Sequence, residues 1–363
     1  AQGKAKETAA LYSRHPSKNL RKRYAIAAIW AAMRHEAPEI RLAGVHAARR
    51  GDVEELLKDM ARRLSDPDGK VRSWAAVALS NLPAGADVLE KQLRAPDPAA
   101  RAIAVAEVGR IAKDKAFDAV VRFVKDPKPE PRAAAARALA FTGRKQALPL
   151  VATLTNDKDR CVRLAAVTAL GRLGFAGGRQ AARRRLKDDY LPIRMAALAA
   201  YAKLAGDDAL TYLKEAAAGA DPRVALHAGR LLAQRKTLQP VLDAIAKALV
   251  DKRWSVRVSG ITTASMINDK VAWALATKGL RDPEPAVRLA AVRLLRARKL
   301  KAKEGDRAAE ALFALLCEPK VKTGSAFARC VEAAELLAQR NNNRGKAQLL
   351  QMVKTGPTWQ NRA

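Results

Sequence analysis

The side chains able to do covalent or metal chemistry in this sequence are few, and they do not gather. His35 stands beside Glu36, a pairing that can hold a transition metal or relay a proton, but it occurs once, and His15, His46 and His227 have no adjacent carboxylate. Cys161, Cys317 and Cys330 include no Cys-x-x-Cys pair and lie far from the histidines, so their spacing defines no metal site. No Gly-x-Ser-x-Gly elbow, phosphate loop or dinucleotide fingerprint occurs. The expectation is no catalytic residue, no metal and no cofactor.

Positive charge is what the sequence has in quantity. Its net charge is +32 over 363 residues, with +8 in residues 1–50, +15 in 51–282 and +9 in 283–363, so no single basic tail carries it. Self-repulsion on that scale implies a polyanionic or acidic partner, with a solvated basic surface as the plain alternative.

The elements that must present these cations show themselves as a repeat. An Asp, often followed by Pro, recurs at Asp66, Asp97, Asp126, Asp157, Asp188, Asp221, Asp251 and Asp282, with gaps of 29 to 33 residues. Behind it an Arg recurs at Arg41, Arg72, Arg101, Arg132, Arg163, Arg194, Arg257 and Arg288, followed by Ala-rich runs such as Val162-Arg163-Leu164-Ala165-Ala166-Val167. Hydrophobic residues reach 49% while aromatics are only 4%, which suits closely packed helices and argues against a large β core. Each copy reads as a helical hairpin, with the Asp capping the second helix and Pro tolerated at its start. One hairpin cannot bury its apolar face alone, so stacking must bury it.

The Asp-Pro, Val-Arg and Ala-Ala-x-Ala-Leu-Gly elements resemble HEAT repeats, specifically the short type named after phycobilisome lyases. The resemblance implies an all-α fold, an α-solenoid of about ten helical hairpins stacked in a curved superhelix. It also implies that Asp and Arg bridge adjacent copies, which makes the repeat arginines structural. The expected organisation is an N-terminal capping segment at 1–18, the solenoid at 19–340, and a C-terminal cap and tail at 341–363, with departures from the pattern at Asp221-Pro222-Arg223-Val224 and after Ala302. His35-Glu36 is similar to the dyads of iron-binding HEAT hydroxylases, which converge several such pairs where this chain has one.

Counting nine residues past the repeat arginine reaches Arg50, Arg110, Arg172 and Lys203, with Arg144 and Arg296 within three positions of that register. Stacking predicts one basic row at the ends of second helices, where the macrodipole also favours cations whatever the protein binds. Further cations end the first helices, at Arg62-Arg63, Arg94, Lys125, Arg183-Arg184-Arg185 and Arg281, and Arg14, Lys18, Arg21, Lys22 and Arg23 cluster around Tyr12 and Tyr24. Trp254, in the expected inter-repeat loop Lys252-Arg253-Trp254-Ser255, is either a partner anchor or a residue packed over the adjoining helix. Cys317 and Cys330 flank a predicted turn between antiparallel helices, a geometry open to a disulfide in an oxidising compartment.

The leading expectation is a non-enzymatic scaffold binding an acidic protein or multi-subunit assembly. Sequence-independent binding of nucleic acid or another anionic polymer is the alternative, and a lyase-like enzyme the third. No run approaches the length of a membrane span, since the stretch at 25–32 ends at Arg34. The start Ala1-Gln2-Gly3 fits a mature end left by signal-peptide removal and equally a trimmed chain; periplasmic or secreted location is the expectation, cytoplasmic the alternative.

Overall fold

The computed structural model describes residues 18–51, 54–82 and 84–296, and these form helical hairpins joined by short turns, with no strand among them. By internal contacts the chain divides into two units, 1–205 and 206–363.

In the first unit the hairpins pair α1 (Lys18–Met33) with α2 (Pro38–Arg50), α3 (Leu57–Arg62) with α4 (Gly69–Leu79), α5 (Gly85–Gln92) with α6 (Pro98–Ala112), α7 (Phe117–Val121) with α8 (Pro129–Thr142), α9 (Ala147–Leu154) with α10 (Arg160–Leu173), and α11 (Arg179–Arg184) with α12 (Leu191–Leu204). In the second unit they pair α13 (Ala209–Ala218) with α14 (Pro222–Ala233), α15 (Gln239–Leu249) with α16 (Trp254–Thr263), and α17 (Asp269–Gly279) with α18 (Pro285–Arg296). Each unit is thus an α-solenoid segment. The reduced copy near Glu318-Pro319, the terminal caps, Arg14, and the pair Cys317 and Cys330 lie outside the described residues.

Small side chains set how closely the second helices stack. A Cβ on Gly109 of α6 would lie 2.4 Å from the Cβ of Ala138 in α8, and one on Gly171 of α10 would lie 3.2 Å from that of Ala200 in α12. Helix α8, held between α6 and α10, buries Ala133, Ala134, Ala135, Ala136 and Ala138 together, because it is covered on two sides rather than one. It stops at Gly143, whose φ of 65° is the left-handed conformation that favours glycine.

The caps correct one expectation. Asp66, Asp126, Asp157, Asp188 and Asp282 do not cap the second helix; each accepts the backbone N–H two residues on, at Asp68, Lys128, Asp159, Tyr190 and Glu284, and so shapes the turn before it. Capping falls to Asp68, Asp97, Asp159 and Asp221, whose carboxylates receive N–H groups of the first helical turn. Asp97 and Asp221 therefore occupy a different register from the other repeat aspartates, because in both copies the helix begins immediately after the Asp, at Pro98 and Pro222.

Candidate interaction surface

Between hairpins the repeat arginines and aspartates form a ladder, each rung joining residues 25 apart. Arg41 donates Nε and Nη2 to Asp66 at 2.8 Å each, while its Nη1 donates to the carbonyls of His35 and Glu36. The same fork recurs in Arg101–Asp126, Arg132–Asp157, Arg163–Asp188 and Arg257–Asp282. One guanidinium thereby closes its own turn and clamps the next hairpin, a bidentate use that lysine cannot match.

These carboxylates are enclosed, and burial by itself pushes their protonation upward. The arginine hydrogen bonds and the turn N–H reverse it, leaving Asp66, Asp157 and Asp282 below the ordinary carboxylate range and Asp188 at about 2. The rungs are structural and are not available to a ligand.

The ladder is not uniform. Arg72 keeps its bonds to the carbonyls of Asp66 and Pro67, but its buried Nε has no acceptor. Arg72 and Arg101 are only 29 residues apart where the neighbouring arginines are 31 apart, which puts Ala95 where the other copies have the ladder Asp. In the second unit Leu226 stands 25 residues before Asp251, and Asp251 instead takes Arg253, two residues on, at 2.8 Å.

His35 serves a turn as well: its Nδ1 accepts the N–H of Ala37, and its carbonyl accepts from Arg41. Among the described residues no three His, Cys, Asp or Glu side chains gather as a metal site, and no helix is long and apolar enough to cross a membrane. Cys161 is an exposed free thiol on α10.

Of the basic row, Arg50, Arg110, Arg172 and Lys203 all fall in the last turns of α2, α6, α10 and α12, within the first unit, and all are exposed. They lean on their surroundings. Arg110 pairs with Glu107 at 2.8 Å and reaches Ser80 Oγ of the preceding hairpin. The Arg172 guanidinium lies 3.7 Å from the ring centre of Phe141, which fills the row position of α8. Arg144 stands just beyond α8, 5.3 Å from the Phe117 ring, so it flanks the row. Arg296 ends α18 in the second unit.

The remaining cations divide by depth. Arg63 and Arg185 turn inward onto Asp66 and Asp188 as extra ladder contacts, whereas Arg62, Arg183 and Arg184 are exposed. Arg21, Lys22 and Arg23 are exposed on α1, which opens at Lys18; Lys22 reaches Glu55 at 2.8 Å.

Trp254 opens α16 rather than lying in a loop, and 51% of it is exposed. Sequence reasoning singled it out but missed its surroundings. It heads a groove between α16 and α18 lined, among the described residues, also by Val258, Thr262, Ala286, Leu289, Ala290 and Arg293. No signal two positions after the repeat arginine marked it, since Ala43, Ala134, Ala165 and Ala196 are as small there as Ser259 and Ala290.

The family of HEAT repeats matches residues 86–160 and 148–233, which hold the rungs Arg101–Asp126, Arg132–Asp157 and Arg163–Asp188. Over that stretch the chain is built of HEAT repeats. Its fold is typical of scaffold and protein-interaction proteins.

Among solved structures the HEAT hairpins are similar to importin beta, at 15% identity and a TM-score of 0.47 over 91% of this chain and 55% of that one. The chain thus spans about half the length of that relative. Two further similar structures are the complex of CpcE and CpcF of phycocyanin lyase from Nostoc sp. PCC7120, at 18% identity and 0.41 over 70% and 94%, and an engineered protein, at 18% and 0.38 over 92% and 100%. Among curated proteins nothing matches this sequence.

Proposed function

We propose that this chain is a non-enzymatic scaffold that holds an acidic protein or assembly against the ends of its second helices. One observation carries the reading: Arg50, Arg110, Arg172 and Lys203 are exposed in the same last-turn position of four second helices in one unit. Helix-end complementarity alone accounts for a cation at each place. Four of them, in a chain of net charge +32, make a field that steers an anionic surface toward that edge. Arg144 and the exposed Arg21, Lys22 and Arg23 add to the basic surface of that unit in this reading, and Arg14, Lys18 and Arg296 are further candidate contacts.

Sequence-independent nucleic-acid binding is the second reading, favoured by the same charge. With aromatics at 4% of the chain it would rest on phosphate contacts rather than on base stacking. Capture of partners from source lysate, with and without nuclease, separates the two. An acidic protein retained after nuclease treatment supports the scaffold; loss of all captured material on nuclease treatment overturns it in favour of nucleic acid.

A further inference from the structure

The ladder guanidiniums of Arg41, Arg132, Arg163 and Arg257 each hold an Asp, and that hydrogen bond raises their pKa above the ordinary value. Arg137 and Arg230 are shifted the other way, because burial among the helices lowers them and no carboxylate offsets it. Both stand at one register of their second helices. Arg137 is five residues past Arg132 in α8, and Arg230 is five past Ala225 in α14, which follows the capping Asp221 by four as Arg101 follows Asp97.

Arg230 has neutral acceptors in place of a counter-ion. Its Nε donates to Thr263 Oγ1 at 2.9 Å and its Nη2 to the Ser259 carbonyl, both on the next second helix, α16. Six residues past Arg163 in α10, the place of Thr263 is taken by Ala169, which offers no hydroxyl. Arg137, exposed on α8, makes no hydrogen bond, ion pair or ring contact among the described residues, and the titratable group that bears on its charge is the Cys161 thiol of α10.

A cation partly stripped of water and without a counter-ion is a cost to the free chain that an incoming anion removes. The surroundings select that anion. In the first unit the register of Arg137 is otherwise held by His46, Val77, Ala106, Thr168 and Ala199, so it is the one guanidinium there. A single cation among such neighbours matches a ligand group of one negative charge, and its planar fork matches a carboxylate bidentately. A phosphate backbone calls for several cations in line, which the row at the helix ends supplies and this face does not.

We propose that Arg137 anchors a carboxylate-binding site on the exposed face of α8, taking one Asp or Glu of an acidic partner protein, with apolar groups of that partner against Ala106 and Leu164. The inference deepens the scaffold reading and rests on it for the acidic character of the partner. The basic row steers an anionic surface to the first unit, and Arg137 discriminates within it, because a charge pair gains more where water is partly excluded than at a wet edge.

The test uses the full chain, a short fluorescent peptide of Glu, Leu and Ala, its counterpart with Gln for Glu, and a single-stranded oligonucleotide. Anisotropy is expected to show the Glu peptide binding above the Gln peptide, and Arg137→Gln weakening it about tenfold, the loss of one charge-assisted hydrogen bond. Arg137→Lys should fall between, and oligonucleotide binding should be the same in all three chains. Cys161, an exposed free thiol, reports occupancy: its alkylation by iodoacetamide, followed by peptide mass spectrometry, is expected to slow on adding the Glu peptide in the parent and not in Arg137→Gln. The melting temperature of Arg137→Gln is expected to match or exceed that of the parent, because no bond is lost.

Unchanged peptide binding in Arg137→Gln overturns the anchor, and so does a melting temperature several degrees below the parent, which makes the residue structural. Slowing of Cys161 alkylation by the oligonucleotide and not by the peptide overturns it in favour of phosphate. If the peptide binds parent and Arg137→Gln alike but is lost when Arg50, Arg110, Arg172 and Lys203 become Glu, the scaffold reading stands and the carboxylate site alone falls. No peptide binding to the parent removes both.

Discussion

At the residue scale the ladder arginines look interchangeable in sequence, yet they differ in what their removal leaves behind. Arg132→Met leaves the enclosed carboxylate of Asp157 with only the turn N–H of Asp159, and loss of one partner of such a pair costs about 3–5 kcal/mol. Arg72→Met strands no carboxylate and loses only the bonds to the carbonyls of Asp66 and Pro67, about 1–2 kcal/mol. Urea denaturation of the two variants is expected to show that gap. Acid adds a second prediction. Because the Asp188 carboxyl is held down at about 2 in the folded chain, its contribution is present above the unfolded value near 4 and is lost as pH falls from there toward 2. It amounts to about 2 kcal/mol at neutral pH. Melting temperature should fall across that window, and Asp188→Asn should begin lower and flatten the fall, meeting the parent near pH 2.

At the scale of elements, stability lies where one second helix meets the next. Gly109 faces Ala138 so closely that a methyl group cannot be added without moving a backbone, since the added Cβ would also lie 2.8 Å from the Ala138 Cα. Gly109→Ala is therefore expected to destabilise the first unit by about 1–3 kcal/mol through overpacking, although alanine is the better helix former. Gly143→Ala tests a different cause. Nothing lies within 4 Å of a Cβ there, so its cost is the left-handed backbone alone, about 1 kcal/mol. A calorimetric ranking with Gly109→Ala the more damaging, and suppression of its defect by Ala138→Gly, is the expected result.

For the whole molecule, charge and stability are expected to separate. Changing Arg50, Arg110, Arg172 and Lys203 to Glu removes exposed helix-end cations, each contributing about 0.3–1 kcal/mol to folding. The Arg110–Glu107 and Arg172–Phe141 contacts put those two at the upper end of that range. The melting temperature should move by a few degrees, whereas affinity for an acidic partner or for heparin should fall at least tenfold and lose most of its salt dependence. Retained affinity in the fourfold variant would mean that those cations only complement their helices.

The period of the Asp-Pro and Val-Arg elements determined by itself that the chain is built of stacked helical hairpins, and the Pro and Asp positions marked where second helices start. This was legible because helix-forming pattern, caps and breakers act over a few residues and are written in consecutive positions. The same letters did not show that Asp97 caps a helix while Asp126 clamps an arginine from the hairpin before it. That distinction depends on a copy two residues shorter than its neighbours, which moves Ala95 into the rung and leaves the buried Arg72 Nε without an acceptor. Nor did they show the groove beside Trp254, whose walls come from two helices about 30 residues apart. Pairing and space between repeats are properties of the stack, and only the tertiary structure decided them.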